Sequence, residues 1–338
     1  MPKRDPIQQS QDGSIDRYDI VEWQPRSWLD HLAIGIHRRL AVLARSIVIV
    51  LAVVILATQL LLGGLGTVTD PVVGTLTALS AVPALLLAVY VWRADVTTNE
   101  PISLLVSTFL LGVLFAGFAG IVNSIFDPVF LAVGALVGDP FFGLVAMFYL
   151  VVGPVEEGVK LLAVRLGAFR DDRFDAVVDG AVYGAVAGLG FATIENAIYI
   201  TGQTMGEGGL AVLATGGSTA TVRALAGPGH VIYSAIAGYY LGLAKFNPDD
   251  AGPIVIKGLV VATLMHATYN ALVSVVPFAL AEALPIGPLA AIVIFVLAFD
   301  GLFGYVLLGK LRAYRRAYEA TNADQQPALD SELTEFDP

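Results

Sequence analysis

The chain has 338 residues, of which 56% are hydrophobic and 14% charged, with a formal net charge of −10 and no cysteine. A soluble domain carries about 25% charged residues, so this composition and a mean hydropathy of +0.75 exclude an ordinary soluble protein. The missing cysteine excludes a disulfide framework, a thiolate nucleophile and a Cys-ligated metal, and the acidic balance argues against nucleic acid as a partner.

In chain order, residues 27–43 (SWLDHLAIGIHRRLAVL) place Trp28, Leu32, Ile36 and Leu40 on one side of a helix, the pattern of a segment lying along a membrane surface. Eight apolar runs follow, at roughly 46–66, 71–92, 102–125, 141–164, 177–200, 224–244, 255–276 and 288–309. Each is long enough for about 30 Å of hydrocarbon at 1.5 Å per residue. Backbone groups find no partner in lipid, and a barrel would show short alternating segments. The expectation is therefore all-α: a polytopic membrane helix bundle of about eight transmembrane helices. The connections 126–140 and 201–222 read as loops, the second Gly- and Thr-rich and irregular, with Leu210–Leu213 able to dip into the membrane against protein or water. This divides the chain into a tail with an interfacial helix (1–45), two additional spans (46–95), a six-helix core (96–312) and an acidic, disordered tail (313–338).

Basic residues alternate between connections. Arg38, Arg39 and Arg45 precede the first run, Arg93 follows the second, and Arg165, Arg170 and Arg173 follow the fourth. Lys245 and Lys257 flank the next such connection, and Lys310, Arg312, Arg315 and Arg316 follow the last run. The intervening connections hold almost no Lys or Arg, so both termini are expected in the cytoplasm of a multi-pass plasma-membrane protein.

Glu156 and Glu157 interrupt the apolar stretch Phe141–Leu166. A carboxylate at the bilayer centre costs at least about 2.5 kcal/mol, so this pair must face a protein-lined, hydrated cavity. Adjacent helical residues diverge by about 100°, so the two cannot serve one reacting atom equally, and Lys160 stands where it can neutralise either. His266 and Asn270 project from one helix face at i, i+4. Measured along each helix from its nearest cytoplasmic charge, Glu156, Glu157, His266 and Asp300 fall roughly 12–15 Å deep, whereas His230, counted from Lys245, and Glu195, counted from Asp179, fall roughly 22–24 Å deep. That spacing predicts two layers. Arg223 lies beside Glu195-Asn196 or snorkels outward, Asp300 reads as a structural partner, and Gly180, Gly184 and Gly188 form a stripe for close helix packing.

Two acids and two imidazoles around one hydrated cavity allow a carboxylate to activate water while His and Asn groups stabilise an oxyanion. Glu156, Glu157, His230 and His266 would equally suit Zn²⁺, with ligands drawn from different helices because no HExxH stands in the chain. Spacing alone leaves metal-dependent and metal-free hydrolysis both open. Intramembrane acids and histidines also serve proton-coupled transporters and channels, although no internal repeat of the transporter kind is visible.

The segments NEP (Asn99–Pro101), EEGVK (Glu156–Lys160), DGAVYGAVAGLGFATIEN (Asp179–Asn196), VRAL with GH (Val222–Leu225, Gly229-His230) and HATYN (His266–Asn270) together resemble the motif series of the PrsW-type intramembrane proteases. These are related to the CAAX-prenyl and bacteriocin-processing membrane proteases. The resemblance covers about residues 95–312. It implies site-1-type cleavage of a single-span, membrane-anchored regulatory protein such as an anti-sigma factor. It further implies Glu156 and Glu157 as essential acids, His266 with Asn270 as a polarising pair, and His230 as a further catalytic position. Glu195, Asn196, Lys160 and Arg223 would line the site. Glu195 departs from the wider group, whose second motif usually carries His or Arg there.

Overall fold

The computed structural model describes residues 25–59, 65–97 and 100–332. The chain divides into two compact units, Met1–Val54 and Ile55–Pro338, and the second contains the helix bundle. Among the described residues there is helix but no strand. The helices are α1 (Trp28–Gln59), α2 (Leu65–Thr69), α3 (Pro71–Arg93), α4 (Ile102–Val137), α5 (Pro140–Met147) and α6 (Gly153–Leu166), followed by α7 (Val177–Thr204), α8 (Leu210–Lys245), α9 (Ala251–Val273), α10 (Val276–Ala283) and α11 (Pro288–Glu332).

Six helical stretches among the described residues are long and apolar enough to cross a membrane: Pro71–Arg93, Ile102–Val137, Pro140–Arg170, Val177–Thr204, Pro248–Val273 and Pro288–Ala320. Two of the eight runs expected from sequence are not among them. The run 46–66 extends into 60–64, outside the described residues. The run 224–244 is helical within α8, but its glycines, tyrosines and His230 leave it less apolar. Val231–Gly238 is buried in protein, so lipophilicity is not required of it.

Two local expectations are corrected. The connection 126–140 is nearly all helix. α4 runs on to Val137, and the turn is made by Gly138 in the left-handed region (φ 77°) and by Asp139, which caps α5 by accepting from the Phe141 N–H at 2.9 Å. The stretch 201–222 is also mostly helical, because α7 ends at Thr204 and α8 begins at Leu210. Its hydroxyls are satisfied within the helix: Thr219 and Thr221 donate to the carbonyls of Thr215 and Gly217. The stretch 27–43 belongs to one unbroken helix, Trp28–Gln59, whose Trp28, Leu32, Ile36 and Leu40 are exposed. Helix α11 continues to Glu332, and residues 333–338 lie outside the described residues.

α7 is the central helix, buried along most of its length and packed against α3, α4 and α8. The glycine stripe explains this. A Cβ on Gly180, Gly184 or Gly188 would collide with the carbonyl oxygens of Gly238, Ser234 and His230, and one on Gly238 or Gly242 with those of Gly180 and Val177. The α7 and α8 backbones therefore touch directly. Glu100 is buried, and this burial pushes its carboxyl up to about 8.

Candidate active site

The fourth candidate span is not a continuous α-helix. Phe148–Val152 forms a π-turn between α5 and α6, with the Gly153 N–H bonded to the Phe148 carbonyl five residues back. Pro154 follows; it has no N–H to continue the α pattern. Gly153 admits the α9 backbone, since a Cβ there would meet the Thr263 carbonyl at 3.0 Å. Such π-turns re-aim the residues that follow. Here those residues are Glu156 and Glu157, both buried.

The two glutamates take different positions. Glu157 is saturated: Oε1 accepts from Lys160 Nζ at 2.7 Å and from His266 Nδ1 at 2.8 Å, and Oε2 accepts from Ser234 Oγ at 3.2 Å. Glu156 lines a cavity of about 580 Å³ together with Asn123, Glu195, Arg223, His230, His266 and Asn270. Its Oε1 accepts from Asn123 Nδ2 at 3.1 Å, while its buried Oε2 has no hydrogen-bond partner among the described residues. An orphaned carboxylate oxygen at a cavity wall is a vacant acceptor facing any water or cation that enters.

Proton positions follow from the partners. A lysine ammonium only donates, so His230 Nδ1, 2.9 Å from Lys160 Nζ, accepts. The His230 proton then sits on Nε2, 3.0 Å from Glu195 Oε2. His266 Nδ1–H donates to Glu157, and its Nε2 faces Glu156 Oε2 at 3.7 Å. A carboxylate behind the far nitrogen of a histidine fixes its tautomer and ring orientation, as in many metal sites. The rings of His230 and His266 meet edge-on with centroids 5.1 Å apart, and Phe191 stacks on His230 while lying under Lys160.

Glu195 Oε2 also accepts from Arg223 Nη2 at 2.6 Å, and Arg223 Nε donates to Asn196 Oδ1 at 2.8 Å. Arg223 thus turns inward instead of snorkelling. Asn196 Nδ2 donates to Ser80 Oγ at 3.0 Å, anchoring α7 to α3. Asp300 accepts from the Tyr233 hydroxyl at 2.6 Å, and the Tyr233 ring lies against His266.

The two layers expected from helix depth collapse into one constellation, because the charged residues used as depth marks are not level. Lys245 Nζ reaches the carbonyls of Phe169, Asp171 and Phe174 in the connection beyond Arg165, so α8 starts its count from a more distant plane. Asn123, Ser234 and Tyr233 were missed in the sequence. Asn123 alone carried a signal, as an amide within the apolar run Gly117–Phe126.

Glu156, His230 and His266 each offer one ligand atom, all within 4.8 Å of one another. Two imidazoles and a carboxylate are a donor set that suits zinc, and the Glu156 Oε2 without a hydrogen bond, with His266 Nε2 facing it, fits that use. His230 Nε2 would have to release its proton, for which Glu195 is the adjacent acceptor. Glu157 is held behind His266, away from this set.

Residues 100–301 match the family described as PrsW family intramembrane metalloprotease. The chain is 32% identical over 190 residues to Protease PrsW of Bacillus subtilis (strain 168), covering 56% of this chain and 78% of that protein. It is 31% identical over 189 residues to Protease PrsW of Geobacillus kaustophilus (strain HTA426), covering 56% and 75%. With Protease PrsW of Shouchella clausii (strain KSM-K16) it shares 27% identity over 194 residues, covering 57% and 80%. No solved structure matches the chain. A helix bundle with membrane-crossing spans and a matched region that encloses the whole acid–histidine constellation identify the chain as a member of the PrsW family, a multi-pass, membrane-embedded protease.

Proposed function

We propose that the chain is an endopeptidase that cuts a single-span regulatory protein of the plasma membrane, an anti-sigma-factor-like substrate, with Glu156 as the carboxylate at the reacting atoms. The observation that carries this reading is the contrast between the glutamates: Glu156 Oε2 at the cavity wall accepts no hydrogen bond among the described residues, with Lys160 Nζ and His266 Nε2 only at 4.0 and 3.7 Å, whereas Glu157 is fully hydrogen-bonded. Glu156 Oε2 holds a water and takes its proton as the scissile carbonyl is attacked. Asn123 keeps Glu156 Oε1 occupied, so Oε2 is the oxygen that acts. The Asn270 amide supplies a donor toward the developing oxyanion, while the His230 Nε2–H is held by Glu195. Glu157 and Lys160 orient His266 and His230 from behind, and Arg223 with Asn196 holds Glu195 beside His230. Both termini are assigned to the cytoplasm from the distribution of basic residues.

Glu156, His230 and His266 would hold a zinc-class ion, and when bound it would supply Lewis-acid activation of water and carbonyl. The test uses the full chain in lipid vesicles with a single-span substrate. Dialysis against a chelator is expected to remove cleavage, and stoichiometric Zn²⁺ to restore it. Cleavage that survives complete metal removal assigns water activation to Glu156 alone. Proton or solute flux without any cleavage would contradict the proteolytic reading.

A further inference from the structure

A second acid cluster lies far from the cavity, where the connection between α3 and α4 meets the first turn of α7. Asp95, Glu100 and Asp179 each bring a carboxylate oxygen within 4.8 Å of the others. Each has one oxygen committed to protein donors. Asp95 Oδ1 accepts from the Thr97 N–H and hydroxyl at 2.8 and 2.7 Å. Asp179 Oδ2 accepts from the N–H groups of Asp175 and Ala176, both at 2.8 Å. Glu100 Oε2 accepts from the Tyr183 hydroxyl.

The remaining oxygens lack good donors. Asp95 Oδ2 and Glu100 Oε1 are buried with no hydrogen-bond partner among the described residues. Asp179 Oδ1 has only the Thr97 hydroxyl at 3.4 Å, and that proton already points to Asp95. Glu100 is 3% exposed and Asp179 is fully buried. No basic side chain among the described residues pairs with any of the three. Three converging carboxylates with unmet acceptors are costly unless a cation balances them.

We propose that Asp95, Glu100 and Asp179 form a binding site for a hard divalent cation of the Ca²⁺ or Mg²⁺ class, separate from the acid–histidine cavity. The donors are oxygen only, which selects such ions over zinc. Asp95 is half-buried and so gives the site a face toward solvent, from which water can complete the coordination. The cation clasps the α3–α4 connection onto the start of α7, the helix that carries Glu195 and Asn196 about 24 Å further along. None of this depends on the proteolytic assignment.

The test is calorimetric titration of the full chain in micelles with CaCl₂, MgCl₂ and ZnCl₂ in turn. The wild type is expected to show one saturable site for Ca²⁺ or Mg²⁺. Glu100→Gln and the half-buried Asp95→Asn should each weaken it about tenfold or more, while Glu156→Gln leaves it unchanged. Asp95→Asn keeps the test open should Glu100→Gln fail to fold. No saturable binding of either ion, binding of zinc alone, or equal affinity in the Asp95 variant would overturn the site.

Discussion

At the scale of single residues, the proposed chemistry rests on dividing labour between two neighbouring glutamates. Glu157, Lys160, His266 and His230 form a buried chain in which every charged atom has a partner. Breaking a buried ion pair by removing one member leaves a bare charge, which costs about 3–5 kcal/mol. Lys160→Met should therefore lower unfolding stability in micelles by about that amount, whereas Asn123→Ala, which leaves no unpaired charge, should cost about 1 kcal/mol. Asn123→Ala should nonetheless slow cleavage about tenfold, because Glu156 Oε1 loses its donor and the carboxylate can turn; an unchanged rate would remove Asn123 from the site. Glu156, Glu157, His230 and His266 were legible in the sequence because ionisable groups stand out in apolar runs. Which glutamate faces the cavity was not legible, since that depends on the π-turn at Phe148–Val152 and on Ser234 from another helix.

At the scale of helices, backbone contact between α7 and α8 sets the distance between Glu195 and His230. Gly184 faces the Ser234 carbonyl, while Gly202, also on α7, faces open space. Gly184→Ala is expected to cost about 1–3 kcal/mol by overpacking and to reduce cleavage, whereas Gly202→Ala should be neutral or stabilising by about 0.5–1 kcal/mol. Thermal unfolding of the two variants side by side checks this, and equal midpoints would refute direct backbone packing. The stripe was visible in the sequence from its four-residue spacing. The helical character of 126–137 and 210–222 was not. Glycine and threonine read as loop formers there, yet threonine hydroxyls bond within α8 and Gly216 sits close against Leu76. Helix depth failed for a related reason: counting from charged residues assumes that they share one plane, and Lys245 reaches past that plane to cap loop carbonyls.

At the scale of the whole molecule, a 28-residue helix, α7, sits among lipid-compatible neighbours. The polar site is thereby walled by protein while the outer helices present apolar faces. Composition and run length were enough to identify a membrane helix bundle, because lipid allows so few backbone solutions. The proposed cytoplasmic placement of both termini predicts that cysteines introduced at the two ends label with an impermeant reagent only after the cells are opened; labelling of one end in intact cells would contradict that proposal. The most direct test of the central claim compares wild type, Glu156→Gln and His266→Ala in vesicles containing a single-span substrate, reading fragment masses and unfolding midpoints on the same samples. Wild type should release one defined fragment. Glu156→Gln should lose about 10²–10⁴-fold in rate while remaining folded, and His266→Ala should lose cleavage as well. Full-rate proteolysis by folded Glu156→Gln would contradict the assignment of the reaction to this cavity.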